Sequence, residues 1–123
     1  MEAANLPAGR EHLAEDEREV LARLEACLEV GDYRGAQDEA EDLWLVATDA
    51  HKRFYQGLSN ALTAICAREL GHLRGAGEIA ARTHEMLAPY PRRVLGFDLD
   101  VLLESMDEFV AEGREPVRWL PGT

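Results

Sequence analysis

The chain predicts an all-α fold: a compact antiparallel bundle of about five helices, built from two αα-hairpins plus a C-terminal helix. Three features point there. Apolar residues recur at three- and four-residue spacing over five separate stretches. Glycine closes the first and third of them, within the near-identical hexapeptides "GDYRGA" at 31–36 and "GHLRGA" at 71–76. The 5 prolines fall outside the periodic stretches, mostly near the ends.

Helix one lies in "EDEREVLARLEACLEVG", where Val20, Leu21, Leu24, Cys27 and Leu28 share a face and Gly31 supplies a left-handed stop. Helix two, in "GAQDEAEDLWLVA", repeats the pattern through Ala36, Ala40, Leu43, Trp44 and Ala47, keeps an acidic outer side and ends near "TDAHK". Helix three spans 54–67 without a charge, so it belongs in the middle of the bundle, and its Gly57 marks a close helix contact. Helix four follows Gly71, with Ala76, Ile79, Ala80, Thr83 and Leu87 inward, and stops before "PYPRR". Helix five covers 98–111, capped by Asp98, and the tail "REPVRWLPGT" reads as extended or irregular.

Each hexapeptide therefore sits at the corner of an αα-hairpin. Gly31 and Gly71 end one helix, and Gly35 with Ala36, or Gly75 with Ala76, begins the next with side chains small enough for the helices to approach. A phosphate-binding loop would need a preceding strand, more glycine, and a lysine with Ser or Thr, none of which is present. Two copies at a forty-residue spacing do not make a repeat array.

At 123 residues the chain suits a single helical domain over 1–123, with a core at about 20–110 and peripheral segments at 1–14 and 112–123. Its formal net charge of -11 is uneven: residues 1–50 hold 14 acids and 4 bases, residues 51–123 hold 10 acids and 9 bases. That field argues against nucleic acid and anionic membrane as partners, and it suits solubility or a basic protein partner. Cys27 and Cys66 lie inside apolar helical patterns and read as small buried hydrophobes. The first twenty residues lack a basic region followed by an apolar core, and no stretch has the length and apolarity of a membrane span, so a cytoplasmic protein is expected.

The order of motifs resembles a small all-helical family, the domain of unknown function 309, found in bacteria and archaea. Its pattern of a glycine, an aromatic, "EAHE", a second glutamate and a tryptophan is similar to "GDYRGAQDEAEDLW", matching at Gly31, Tyr33, Ala36, Glu41 and Trp44. Its "FLQGLIQLA" resembles "FYQGLSNAL", with Phe54, Gln56, Gly57 and Leu58 in common, and its "GNLRGA" resembles "GHLRGA". The segment "GFDLD" from Gly96 also resembles one before the family's last helix. The resemblance covers roughly 20–110 and implies the helical fold; for activity it implies only a suggested metal-dependent hydrolase resting on the family's histidine and glutamates. The chain departs there, with Gly35, Gln37 and Asp38 where the family has glutamate, histidine and glutamate.

The residues left to carry chemistry are polar. Gln37 and Glu41 share a face of helix two with Asp38 beside them, and Arg53, Gln56 and Asn60 form a polar edge on helix three. Facing each other, they make a candidate polar cleft with Glu41 and Arg53 as an ion pair. Asp38 and Glu41 offer hard oxygen ligands suited to Mg²⁺, the alternative to the expected absence of any cofactor. The four histidines, His12, His51, His72 and His84, have no paired metal spacing and read as surface or turn residues. Ser59 and Ser105 lack a nucleophile turn. The function expected is a non-catalytic helical domain with a structural or protein-interaction role, the expected partner being a second copy in a homodimer or another protein, with Trp119 and Leu120 of the apolar tail as candidate docking residues; the alternative is a metal-dependent hydrolase-like or ligand-binding protein using Asp38 and Glu41.

Overall fold

The computed structural model of the chain describes residues 6–113 and Trp119. Its helices are α1 (Glu15–Glu29), α2 (Tyr33–Val46), α3 (Asp49–Glu69), α4 (Leu73–Leu87) and α5 (Leu99–Glu112), with a small antiparallel hairpin of β1 (Arg93–Val94) and β2 (Phe97–Asp98) before α5. Helices α1 and α2 form one αα-hairpin and α3 and α4 the other; α2 packs on α3, and α5 closes the bundle against α3 and α4. No helix among the described residues is long and apolar enough to cross a membrane.

The two hexapeptides build the same helix stop. At the first corner the Gly31 amide donates to the Leu28 carbonyl at 3.1 Å and the Asp32 amide to Cys27 at 2.9 Å; at the second, Gly71 donates to Arg68 at 3.0 Å and His72 to Ala67 at 2.9 Å. This pair of bonds satisfies carbonyls that a helix end leaves open, and it requires a left-handed residue. Gly31 at φ 75° and Gly71 at φ 85° supply it. The corners differ in how the next helix begins: Asp32 accepts from the Gly35 amide at 2.9 Å, whereas His72 makes no side-chain cap on α4.

The close approach at these corners belongs to the alanines. Ala36 and Ala76 are fully buried, but a Cβ added at Gly75 would meet nothing within 4 Å, and the atoms nearest to one at Gly35 are those of the capping carboxylate of Asp32. The expectation that Gly75 lets the helices approach is therefore corrected, since a side chain there has open space, and at Gly35 the first obstacle is the Asp32 cap. Gly57 does sit in a helix contact, where a Cβ would fall 2.4 Å from Cδ2 of the buried Leu87 on α4.

Helix α3 begins at Asp49, five residues before the uncharged run starts. Thr48 takes the N-cap position, and Asp49 places an acid in the first turn, where the helix dipole favours it. "DAHKR" reads as a break because it is polar, yet it forms the first turns of a helix that is only partly covered there.

The hairpin before α5 lies outside what helical periodicity can reveal. Leu95 (φ 48°) and Gly96 (φ 83°) are both left-handed, as a tight two-residue turn with matching strand twist demands. Leu95 is fully buried because the chain at 7–10 straps over this tip. The Leu95 and Gly96 amides donate to the carbonyls of Pro7 and Ala8 at 2.8 and 2.6 Å, and Arg10 Nε donates to the Leu95 carbonyl at 2.6 Å. The Arg10 guanidinium also lies 4.9 Å from the ring centre of Phe97 and pairs with Glu25. Asp98 then caps α5, accepting from the amides of Asp100 at 3.0 Å and Val101 at 3.2 Å.

The core runs through the middle of the bundle on Leu24, Leu43, Leu58, Leu62 and Ile65, all fully buried, each contributing about 1.5–3 kcal/mol of burial. An aromatic cluster extends it toward the hairpin: Phe54 meets Tyr90 at 5.2 Å and Phe97 at 6.0 Å between ring centres, and Phe97 meets Trp119 at 6.5 Å. Leu6, Leu13 and Trp119 are buried members of this core, so the flanking segments are not merely peripheral. A docking role on a neighbouring subunit does not fit Trp119, which is 1% exposed, and Leu120 lies outside the described residues.

Candidate functional site

The six polar residues expected to form one cleft do not all come together. Gln37 is committed across the α2–α3 contact, donating to Thr63 Oγ1 at 2.8 Å. Asn60 is committed across the α3–α4 contact, donating to Thr83 Oγ1 at 3.1 Å and the Ile79 carbonyl at 3.3 Å. These bonds satisfy partly buried amides and hold the register of α3 against both neighbours. Asp38 and Arg53 are exposed, and Arg53 lies near Tyr90. The expected Glu41–Arg53 ion pair is not among the described residues' ion pairs.

Glu41 and Gln56 do meet, in a groove of about 410 Å³ between α2 and α3 that is also lined by Ala40, Trp44, Leu45, Tyr55 and Ser59. Leu45 is 70% exposed and Trp44 38% exposed, so two large apolar side chains border one carboxylate on an accessible surface. The Lys52 ammonium lies 4.8 Å from the Trp44 ring centre and steadies the indole. A second groove, of about 490 Å³, runs on the other side of α3 between Gln56, Ser59, Asn60, Arg82 and Met86. Gln56 and Ser59 line both, so the two grooves adjoin across the α3 ridge.

Beneath the first groove is a buried polar cluster that the periodicity did not disclose. Glu17, in the first turn of α1, is 2% exposed and accepts from the Tyr55 hydroxyl at 2.5 Å; His51 Nδ1 lies 2.6 Å from the same oxygen. A carboxylate oxygen accepts both, so His51 presents Nδ1–H to it. Burial, and then the hydrogen bond to Glu17, push the Tyr55 phenol well above the usual tyrosine range. His51 is thus a core-linked residue of α3 and not a turn residue, a correction that follows from the earlier start of that helix. Its signal in the sequence is the i, i+4 spacing of His51 and Tyr55; Glu17 is lost among the 14 acids of residues 1–50.

Among the described residues no three His, Cys, Asp or Glu side chains converge to hold a metal ion, and Asp38 and Glu41 lie on the exposed side of α2. Burial raises the Cys27 and Cys66 thiols, with the acids at Asp32 and Glu69 respectively adding to it, so neither is poised as a thiolate. The arrangement can bind: it offers an apolar trough, a carboxylate at its lip and uncommitted polar groups along the α3 ridge that borders it. Comparison of the chain with protein-family models, with curated proteins and with solved structures finds no match.

Proposed function

We propose that the chain is a non-catalytic helical protein-interaction module that takes the apolar face of a basic amphipathic segment of a partner protein into the α2–α3 groove. The observation that carries this reading is the exposed Trp44–Leu45 pair beside Glu41. Aromatic anchors bordered by charge are what interfaces use, and a carboxylate at the lip selects a cationic neighbour. The wider field agrees in sign, with 24 acids against 13 bases. A second copy of the chain is the poorer occupant, because it would set acid against acid. The resemblance to the domain of unknown function 309 belongs to the same proposal, since its motifs fall on the two corners and the middle of α3; it adds no activity.

The test is titration with a synthetic amphipathic helix bearing leucines on one face and a lysine at one flank, followed by tryptophan emission. Binding shifts the emission of Trp44, weakens with added salt, and drops at least about tenfold in Leu45→Asp and in Glu41→Lys. Emission that ignores the peptide, or binding that survives both substitutions, turns the proposal down. Self-association of the free chain in a sedimentation experiment, lost in Leu45→Asp, would make the second copy the occupant instead.

A further inference from the structure

The two grooves beside α3 are opposite in character but share a border. The α2–α3 groove is apolar with one carboxylate, Glu41; the α3–α4 groove holds one guanidinium, Arg82, and the polar groups of Gln56, Ser59 and Asn60. Arg82 makes no ion pair or hydrogen bond among the described residues, nor do Arg34 and Arg53, whereas Arg10, Arg23, Arg74 and Arg92 each hold a carboxylate; what sets Arg82 apart is its place in the lining of the α3–α4 groove. An uncommitted guanidinium in a chain so rich in acids is a selective feature, because a planar fork of donors matches a carboxylate.

The neighbours of Arg82 are also disposed for a ligand. Asn60 spends both amide hydrogens on α4, which leaves its Oδ1 as an acceptor. Gln56 and Ser59 make no side-chain bond among the described residues and contribute donors on the ridge that both grooves share. A groove with a guanidinium, free donors and a free acceptor accommodates a carboxylate together with the peptide groups around it.

From this juxtaposition we infer that the partner segment is doubly charged: it crosses α3 with a Lys or Arg side chain at Glu41, an apolar side chain against Trp44 and Leu45, and an Asp or Glu side chain at Arg82. The inference rests on the α2–α3 groove being the docking site, and it adds the polarity of the segment. Arg82 acts as a specificity determinant, accepting segments with an acid on the α4 side and refusing those with a second base there.

The experiment is selection of a phage-displayed random-peptide library on the wild-type chain, followed by titration of synthetic copies of the enriched peptides against Glu41→Lys, Arg82→Glu and Arg82→Gln. The expected peptides carry a base and an acid flanking an aromatic or aliphatic residue. Arg82→Glu weakens them at least about tenfold, Arg82→Gln by less, and replacing the peptide's acid with lysine restores binding to Arg82→Glu alone. Thermal melts check that the exposed Arg82 tolerates both substitutions. Peptides that bind Arg82→Glu and Arg82→Gln as wild type, yet lose affinity in Glu41→Lys, overturn the inference while leaving the α2–α3 groove as the docking site. Peptides indifferent to all three substitutions, or no enrichment on the wild-type chain, overturn both.

Discussion

The hydroxyl of Tyr55 on α3 donates to the buried carboxylate of Glu17 on α1 at 2.5 Å, with His51 Nδ1 at 2.6 Å from the same oxygen. Helix α1 packs mainly on α2, so this cluster ties its first turn directly to α3. A charged group at 2% exposure is tolerable only while its donors stay in place, which makes Tyr55 a structural support of the groove floor as well as part of its lining.

Tyr55→Phe removes one of those donors without changing the shape of the ring. It should lower the unfolding free energy by about 1–3 kcal/mol, measured by urea denaturation, and the loss should shrink when Glu17→Gln is already present. Equal losses in both backgrounds would mean that the hydroxyl and the carboxylate are not coupled.

Alkaline pH should act on the same contact. Burial raises the phenols of Tyr55 and Tyr90 in the folded state, so the folded chain holds those protons more tightly than the unfolded chain does. The stability they contribute is complete below the unfolded tyrosine value of about 10 and falls as pH rises from there toward the folded values. Absorbance titration at increasing pH should show tyrosine ionisation delayed beyond that of free tyrosine. Tyr55→Phe should remove part of the delayed step.

Two glycines on the α3–α4 hairpin should respond in opposite directions. Gly57→Ala places a methyl 2.4 Å from Cδ2 and 3.1 Å from Cγ of the buried Leu87, so that side chain must shift within the core, and it should cost about 1–3 kcal/mol. Gly75→Ala enters open space within α4 and should be neutral or stabilising by up to about 1 kcal/mol, through helix propensity. Parallel melting curves decide it, and a destabilised Gly75→Ala would return that position to a helix contact.

Acid should loosen α5 through its cap. The hydrogen bond from Arg92 holds the Asp98 carboxyl below the usual carboxylate range, against an opposing effect of burial. Its contribution is therefore complete above the unfolded value of about 4 and is lost as pH falls through the lowered folded value. Asp98→Ala should cost about 1 kcal/mol at neutral pH, and the difference from wild type should narrow in acid; a gap that stays constant with pH would deny the charged cap its role.

What the sequence by itself determined is the helical architecture. Periodicity at Val20, Leu24 and Leu28, and again at Leu58, Leu62 and Ile65, states which faces turn inward, and Gly31 and Gly71 state where two helices must stop, because both signals are local and repeat along the chain. The Asp98 cap was legible for the same reason. The β-hairpin was not: two residues per strand are too few for a period, and its buried Leu95 turn depends on the strap at Pro7, Ala8 and Arg10, far away in sequence.

The candidate site divides along the same line. Glu41 and Gln56 were recognisable as polar residues on facing helices, but only tertiary packing set them in one groove and sent Gln37 to Thr63 and Asn60 to Thr83. Glu17 is indistinguishable from its acidic neighbours until α3 brings His51 and Tyr55 to it, and Arg82 stands out only once packing of α4 on α3 sets it in a groove with Gln56, Ser59 and Asn60. Local pattern encodes which face of a helix is apolar; which polar groups meet across helices depends on rotation and register, and these are decided by close packing such as Gly57 against Leu87.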